Sequence, residues 1–217
     1  MSLPVDAVDG ERSPDNSAAL PTKCHECREP LATPLFCGAC HALLQETAAD
    51  HFAALGIARR YEIDAADLRR RYLALSREVH PDRAAHAGLD PAAAARVSSR
   101  LNEAMRVLSD DLLRAEYLLE ICGGPSATAD KSVPGDVLTE TLELREEIDE
   151  ARHSAGSERL NAIRAQLAQQ HAAAMQRVAA LARQVDQGGQ TLKSLRAELN
   201  AIKYLRRLRE EAARVET

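Results

Sequence analysis

From His51 onward, apolar residues recur at helical spacing. Leu68, Tyr72, Leu75 and Val79 fall at intervals of four, three and four behind Asp64, a capping residue, and predict one face of a helix. Arg69, Arg70, Arg71 and Arg77 take the opposite face. Pro81 disfavours helix at His80, so the helix stops there. Asp90-Pro91 restarts one, with an N-cap followed by proline in the first turn. Its stripe is Val97, Leu101, Met105 and Leu108. Ser109 caps a further short helix holding Leu112, Leu113, Tyr117 and Leu118, and Gly123-Gly124-Pro125 ends it. Ahead of this hairpin, Phe52, Leu55 and Ile57 make a short helix that Gly56 weakens.

Residues 123–135, opened by Gly123-Gly124-Pro125 and closed by Pro134-Gly135, read as a linker. No proline follows. Breaks at His153–Ser157 and Gly188-Gly189 divide the rest into three long helices. The first carries Leu138, Leu142, Leu144 and Ile148. The second keeps a seam of Leu160, Ile163, Leu167, Ala174, Val178, Leu181 and Val185. The third has Leu192, Leu195, Leu199, Ile202, Leu205 and Leu208. Short connections between long amphipathic helices predict an antiparallel three-helix bundle over 136–214. The fold class is all-α: a helical hairpin over 50–122, then the bundle.

Composition agrees. Of 217 residues, 45% are hydrophobic and 28% charged, enough apolar material for a core. Aromatics are 3% and tryptophan is absent, which disfavours a β-sandwich. Glycine and proline together number 19, against collagen-like or low-complexity chains. No apolar run reaches the length of a membrane span. The net charge is -5, unlike a general nucleic-acid binder. Residues 1–22 read as a disordered tail, with Asp6, Asp9, Glu11 and Asp15 against Arg12. That pattern matches neither a secretory signal nor a mitochondrial presequence. The expected compartment is cytoplasmic and reducing.

Four of five cysteines cluster in a module over 23–45: Cys24-His-Glu-Cys27, nine residues, then Cys37-Gly-Ala-Cys40. Two C-x-x-C pairs suit a tetrahedral thiolate site, with Gly38 permitting a tight turn. Structural zinc is the preferred reading, with tetrathiolate iron and a redox dithiol as alternatives. His25 and His41 are alternative ligands. Four cysteines close the coordination shell, which argues against catalysis at the metal. So short a module cannot bury a core, so the metal must supply its stability. Cys122 reads as a small apolar filler.

His80-Pro81-Asp82 sits between the basic amphipathic helix and its partner. On this tripeptide in its hairpin, the sequence resembles the J-domain of DnaK-type co-chaperones. It resembles the HscB family, co-chaperones of iron–sulfur cluster assembly, in His51-Phe-Ala-Ala-Leu-Gly-Ile57, Tyr61–Asp82, Arg114-Ala-Glu-Tyr-Leu-Leu119 and Leu142-Glu-Leu-Arg-Glu-Glu-Ile-Asp-Glu150. The resemblance covers about 51–212. It implies that 50–122 is a J-domain. It also implies that His80, Pro81 and Asp82, with Arg69, Arg70, Arg71 and Arg77, dock on an HscA- or DnaK-type ATPase and accelerate its hydrolysis. Arginines on one face suit steering toward an acidic surface.

The helix over 136–152 carries seven acids against Arg145 and Arg152. Glu143, Glu146 and Glu150 share a face that Leu138 and Leu142 continue. The resemblance implies that Leu138, Leu142, Glu143, Glu146, Glu150 and Tyr204 bind the IscU-type cluster scaffold. Thr139 departs from a more apolar family residue. The competing reading puts Leu138 and Leu142 in the bundle core and leaves the acids solvated. Lys193, Arg196, Lys203, Arg206, Arg207 and Arg209 on the last helix read as a solvated face pairing with the acidic helix. The lone aromatic Tyr204 offers no stacking platform for bases.

No Gly-rich phosphate loop, G-x-S-x-G or H-E-x-x-H appears, so the expectation is a protein that is not an enzyme. Residues 1–50 hold eight acids and three basic residues, against a zinc-knuckle nucleic-acid adaptor. The expected protein is a monomeric co-chaperone with no nucleic-acid or membrane partner. The alternative is a generic J-protein with a structural zinc module, although no Gly-rich or β-domain follows the hairpin.

Overall fold

The computed structural model describes residues 23–31, 33–44, 50–80, 90–135, 137–153, 157–186 and 191–214. Among them run seven helices: α1 (His51–Ala54), α2 (Ala65–Glu78), α3 (Pro91–Ser109), α4 (Asp111–Ile121), α5 (Val137–His153), α6 (Ser157–Asp186) and α7 (Leu192–Ala213). The cysteine module contributes isolated bridges and no strand among the described residues.

Local chemistry explains most helix ends. The Asp64 side chain accepts from the backbone N–H groups of Ala66 and Asp67, and Asp90 does the same for Ala92 and Ala93. Asp110, not Ser109, caps α4, accepting from Leu112 and Leu113, while Ser109 closes α3. Gly56 takes a left-handed φ of 65° just past α1. Gly124 admits no side chain, since a Cβ would lie 2.9 Å from the Leu119 carbonyl oxygen and closer still to the leucine side chain.

Most of the predicted seam residues are buried, Leu138 and Leu142 excepted. Leu68, Val79, Val97, Leu101 and Leu108 close the hairpin, with Tyr72, Leu75 and Met105 partly buried around them. In the bundle, Ile148 of α5 meets Leu160, Ile163, Leu167 and Val178 of α6 and Leu195, Leu199, Ile202 and Leu208 of α7. Complete burial of one such side chain contributes about 1.5–3 kcal/mol, so the aliphatic core needs no aromatic centre.

α6 runs antiparallel to both neighbours. Arg159 pairs with Glu150 while Gln170 reaches Glu140, and Arg164 donates to the Ala212 carbonyl while Arg177 reaches Glu198. α5 and α7 are therefore parallel to each other.

Hairpin and bundle share a polar seam. Arg196 of α7 is buried, its Nη2 2.6 Å from Glu116 Oε2 of α4, and Lys203 Nζ lies 3.0 Å from Glu116 Oε1. The two cations overcome the burial that opposes charge on Glu116 and hold its carboxyl below the usual range. Arg196 Nε also donates to the Pro125 carbonyl, and Asn200 Nδ2 to those of Asp130 and Ser132. The segment between hairpin and bundle is thereby pinned along α7. The ion pair that joins α5 to α7 inverts the expected polarity: Arg145 belongs to α5 and Glu211 to α7. Of the basic residues of α7, Arg196 and Lys203 pair with Glu116 of α4, and Arg206 pairs with Glu210 of its own helix.

Candidate docking faces and metal centre

In the cysteine module, the four Sγ atoms lie within 4.8 Å of one another. Cys24 and Cys40 sulfurs are 3.6 Å apart, as are those of Cys27 and Cys37. An ion with four bonds of about 2.3 Å in tetrahedral array needs sulfur–sulfur edges of about 3.8 Å. The thiolate set therefore fits one tetrahedral ion. Each C-x-x-C pair makes the same knuckle. Arg28 N–H donates to the Cys24 carbonyl and His41 N–H to that of Cys37, at 3.0 and 2.9 Å. Arg28 and His41 take left-handed φ values of 64° and 59°, so the tight turn falls on the residue after each pair and not on Gly38. Backbone N–H groups of Cys27 and Cys40 pull the Cys24 and Cys37 thiols downward, Cys37 to about 7. His25 pairs with Glu26, and His41 Nδ1 lies 4.0 Å from Glu78, so neither completes the sulfur cluster.

The module does not stand apart. Leu35 and Phe36 join the same hydrophobic cluster as Phe52 and Leu55. Thr33 Oγ1 donates to the Ala54 carbonyl at 2.9 Å in a buried contact. The expectation that the metal alone stabilises this module is corrected: it borrows the hairpin's core. Cys122 is exposed at the end of α4, not an apolar filler.

On α2, Arg69, Arg70, Arg71 and Arg77 are all exposed, but they differ. Arg70 and Arg71 both pair with Asp67, and Arg71 Nη1 also donates to the Gly56 carbonyl at 2.7 Å. Arg71 is thus committed to tying α2 to the turn after α1. His80 is exposed just past α2. Pro81 and Asp82 lie outside the described residues, as does the tail over 1–22.

On α5 the leucines divide. Leu144 and Ile148 are buried at 3% and 1%, whereas Leu138 and Leu142 are 48% and 62% exposed. With Glu146 and Glu150, also exposed, they form one ridge of i+4 steps, and Glu143 sits beside it. The core place read for Leu138 and Leu142 is filled instead by Val137 and Thr141. Arg145 and Glu211 stand 66 residues apart, and in parallel helices the same offset sets Leu138 level with Tyr204. Asn200, Tyr204, Arg207 and Glu211 share one stripe of α7 at helical spacing. That stripe flanks the leucines on the side away from the acids.

Residues 50–117 match the DnaJ domain, and residues 133–213 match the HSCB C-terminal oligomerisation domain. A co-chaperone protein HscB homologue from Azoarcus sp. is 35% identical over 122 residues, 55% of this chain and 69% of the relative. The chain belongs to the HscB family. HscB-family proteins are co-chaperones and not enzymes. A homologue from Bordetella petrii is 41% identical over 108 residues, and the match spans 49% of this chain and 64% of that relative, just under two thirds. Chaperone HscB from Vibrio cholerae superposes with a TM-score of 0.61 at 25% identity, over 77% of this chain and 98% of the other. Human HscB shares the fold with a TM-score of 0.67 at 22% identity, over 89% of this chain and 98% of its own.

Arg114, Glu116 and Tyr117 hold structural places that the pattern of apolar residues missed. The buried Arg114 donates to the carbonyls of Tyr61 and Leu108 and lies 4.9 Å over the Tyr61 ring. Glu116 receives Arg196 and Lys203, and the Tyr117 hydroxyl accepts the His51 N–H. The Arg114–Tyr117 stretch is thus a structural junction. No helix among the described residues is long and apolar enough to cross a membrane.

Proposed function

We propose that this chain is a two-faced co-chaperone of iron–sulfur cluster assembly. In this reading it binds an IscU-type scaffold through Leu138, Leu142, Glu143, Glu146, Glu150 and Tyr204. It stimulates an HscA- or DnaK-type ATPase through His80, Pro81, Asp82 and the arginines of α2. Residues 50–122 act as the J-domain and 136–214 as the scaffold-binding bundle, joined by 123–135. The single observation that carries the reading is the exposure of Leu138 and Leu142 on a helix whose other leucine, Leu144, is buried. Two large apolar side chains beside an aromatic, fringed by acids, form an interface centre with a polar rim.

The ATPase face acts by differential binding. A ligand that prefers one conformation of the chaperone shifts it toward that state, and no chemistry at the J-domain is needed. Unlike Arg70 and Arg71, Arg69 and Arg77 pair with no acid among the described residues, and they supply the steering charge. Zinc is the ion assigned to Cys24, Cys27, Cys37 and Cys40, where four thiolates leave no open position for substrate. It serves structure. The protein acts in the cytoplasm as a monomer, without nucleic acid or membrane. Light scattering at working concentration checks the oligomeric state, since the matched C-terminal family is described by oligomerisation.

Single-turnover ATP hydrolysis by the partner chaperone tests the reading, with and without scaffold and with His80→Gln as control. The expected result is stimulation that requires His80 and rises further with scaffold. Stimulation indifferent to scaffold supports the generic J-protein instead. No stimulation by the unmodified chain contradicts the co-chaperone assignment.

A further inference from the structure

Beside the leucine ridge lies a cavity of about 340 Å³, lined by Ala127, Lys131, Asn200, Lys203, Tyr204 and Arg207. Its wall holds three cations and no acid. Lys203 is matched by Glu116, but neither Lys131 nor Arg207 pairs with an acid among the described residues. Like charges held in one recess repel, and a bound anion relieves that repulsion. The scaffold for the recess is firm: Asn200 is buried and donates to both the Asp130 and Ser132 carbonyls, which fixes the segment bearing Lys131 against α7.

Tyr204 belongs to this cavity and also stands level with Leu138. The order across the surface is therefore acids of α5, exposed leucines, Tyr204, then the cations. We propose that Lys131, Lys203 and Arg207, with Tyr204, form a pocket for a carboxylate on the same scaffold that docks on Leu138 and Leu142. This rests on the scaffold reading above and extends its interface onto α7. The cavity accepts one acidic side chain or a chain-terminal carboxylate. Arg207 can grip it through two parallel N–H···O bonds, and the two lysines add point charge. A surface negative at one end and positive at the other also fixes the direction in which a partner lies, because the reversed pose sets like charges together.

The test measures scaffold affinity and association rate for the full chain by calorimetry and stopped flow, at low and at physiological salt. Lys131→Glu with Arg207→Glu forms the pocket variant. Arg206→Glu with Arg209→Glu changes net charge equally at exposed positions outside the cavity. The expected result is a loss on the order of tenfold for the pocket variant, most of it in the association rate and larger at low salt, with little change in the control. Equal losses in both variants overturn the pocket and leave only a net-charge effect. Unchanged affinity in the pocket variant, while Leu142→Ala binds poorly, overturns the pocket and spares the ridge. Unchanged affinity in all three variants overturns the pocket and the scaffold reading together.

Discussion

The α2 and α5 helices both turn a decorated face to solvent, and the two faces carry unequal information. On α2 the face is arginine around a single exposed leucine, Leu73 at 42%. Exposed arginine is the ordinary state of a helix surface, and two of the four are already engaged by Asp67. On α5 the face is a pair of leucines set among acids, and two leucines one helical turn apart, exposed at 48% and 62%, have no such ordinary explanation when Val137, Thr141, Leu144 and Ile148 already supply the core. A charged face is ambiguous because solvation alone accounts for it. An apolar face left uncovered beside a complete core points to a partner.

The widest expected contrast lies within α5 itself. Leu144→Ala removes a buried side chain and is expected to cost about 2–5 kcal/mol in chemical denaturation. Leu142→Ala is expected to stay within about 0.5 kcal/mol of the unsubstituted chain. Similar losses for both would return Leu142 to the core and dissolve the comparison.

Metal removal acts on the third region. Chelation is expected to abolish hydrogen-exchange protection across 23–44 and to weaken it at α1, where Thr33, Leu35 and Phe36 dock, while α6 and α7 keep theirs. Retained protection over 23–44 after the ion is gone would mean that the borrowed core suffices alone.

The arginine face should divide as the ion pairs do. Arg69→Ala and Arg77→Ala are expected to slow association with the chaperone a few-fold, by an amount that shrinks with added salt, and to leave folding unchanged. Arg71→Ala is expected to act on stability as well, by about 1 kcal/mol, through the lost bond to the Gly56 carbonyl. Thermal melts and stopped-flow binding on the three variants separate these effects.

The smallest effect is a pH dependence at the junction. The Glu116 carboxyl is held below its ordinary value of 4.5, so its contribution is present above that pH and fades as pH falls through the lower folded-state value. Glu116→Gln should flatten the acid limb of stability against pH. An unchanged limb would show that the pair with Arg196 and Lys203 adds no such dependence.

Most of the fold was legible because its determinants are local. Period-3.6 stripes fixed the helices of hairpin and bundle, and Asp64 and Asp90 announced their caps. Ser109 and Asp110 are both capping residues one position apart, and pattern alone chose the wrong one. From the sequence Arg196 reads as solvated, because its partner Glu116 lies 80 residues away, on a helix that only tertiary packing brings near. Arg28 and His41 gave no sign of left-handed backbone, since that conformation usually advertises itself through glycine. The candidate docking face on α5 was half legible. Spacing grouped its leucines with its acids, but only burial could decide whether Leu142 looks inward or outward.

The most direct measurement is scaffold binding by Leu142→Ala and Tyr204→Ala, taken on samples whose melting temperature is recorded alongside. Each variant is expected to lose at least about 1 kcal/mol of binding free energy while melting as the unsubstituted chain does. Scaffold binding unchanged in both variants would contradict the scaffold reading.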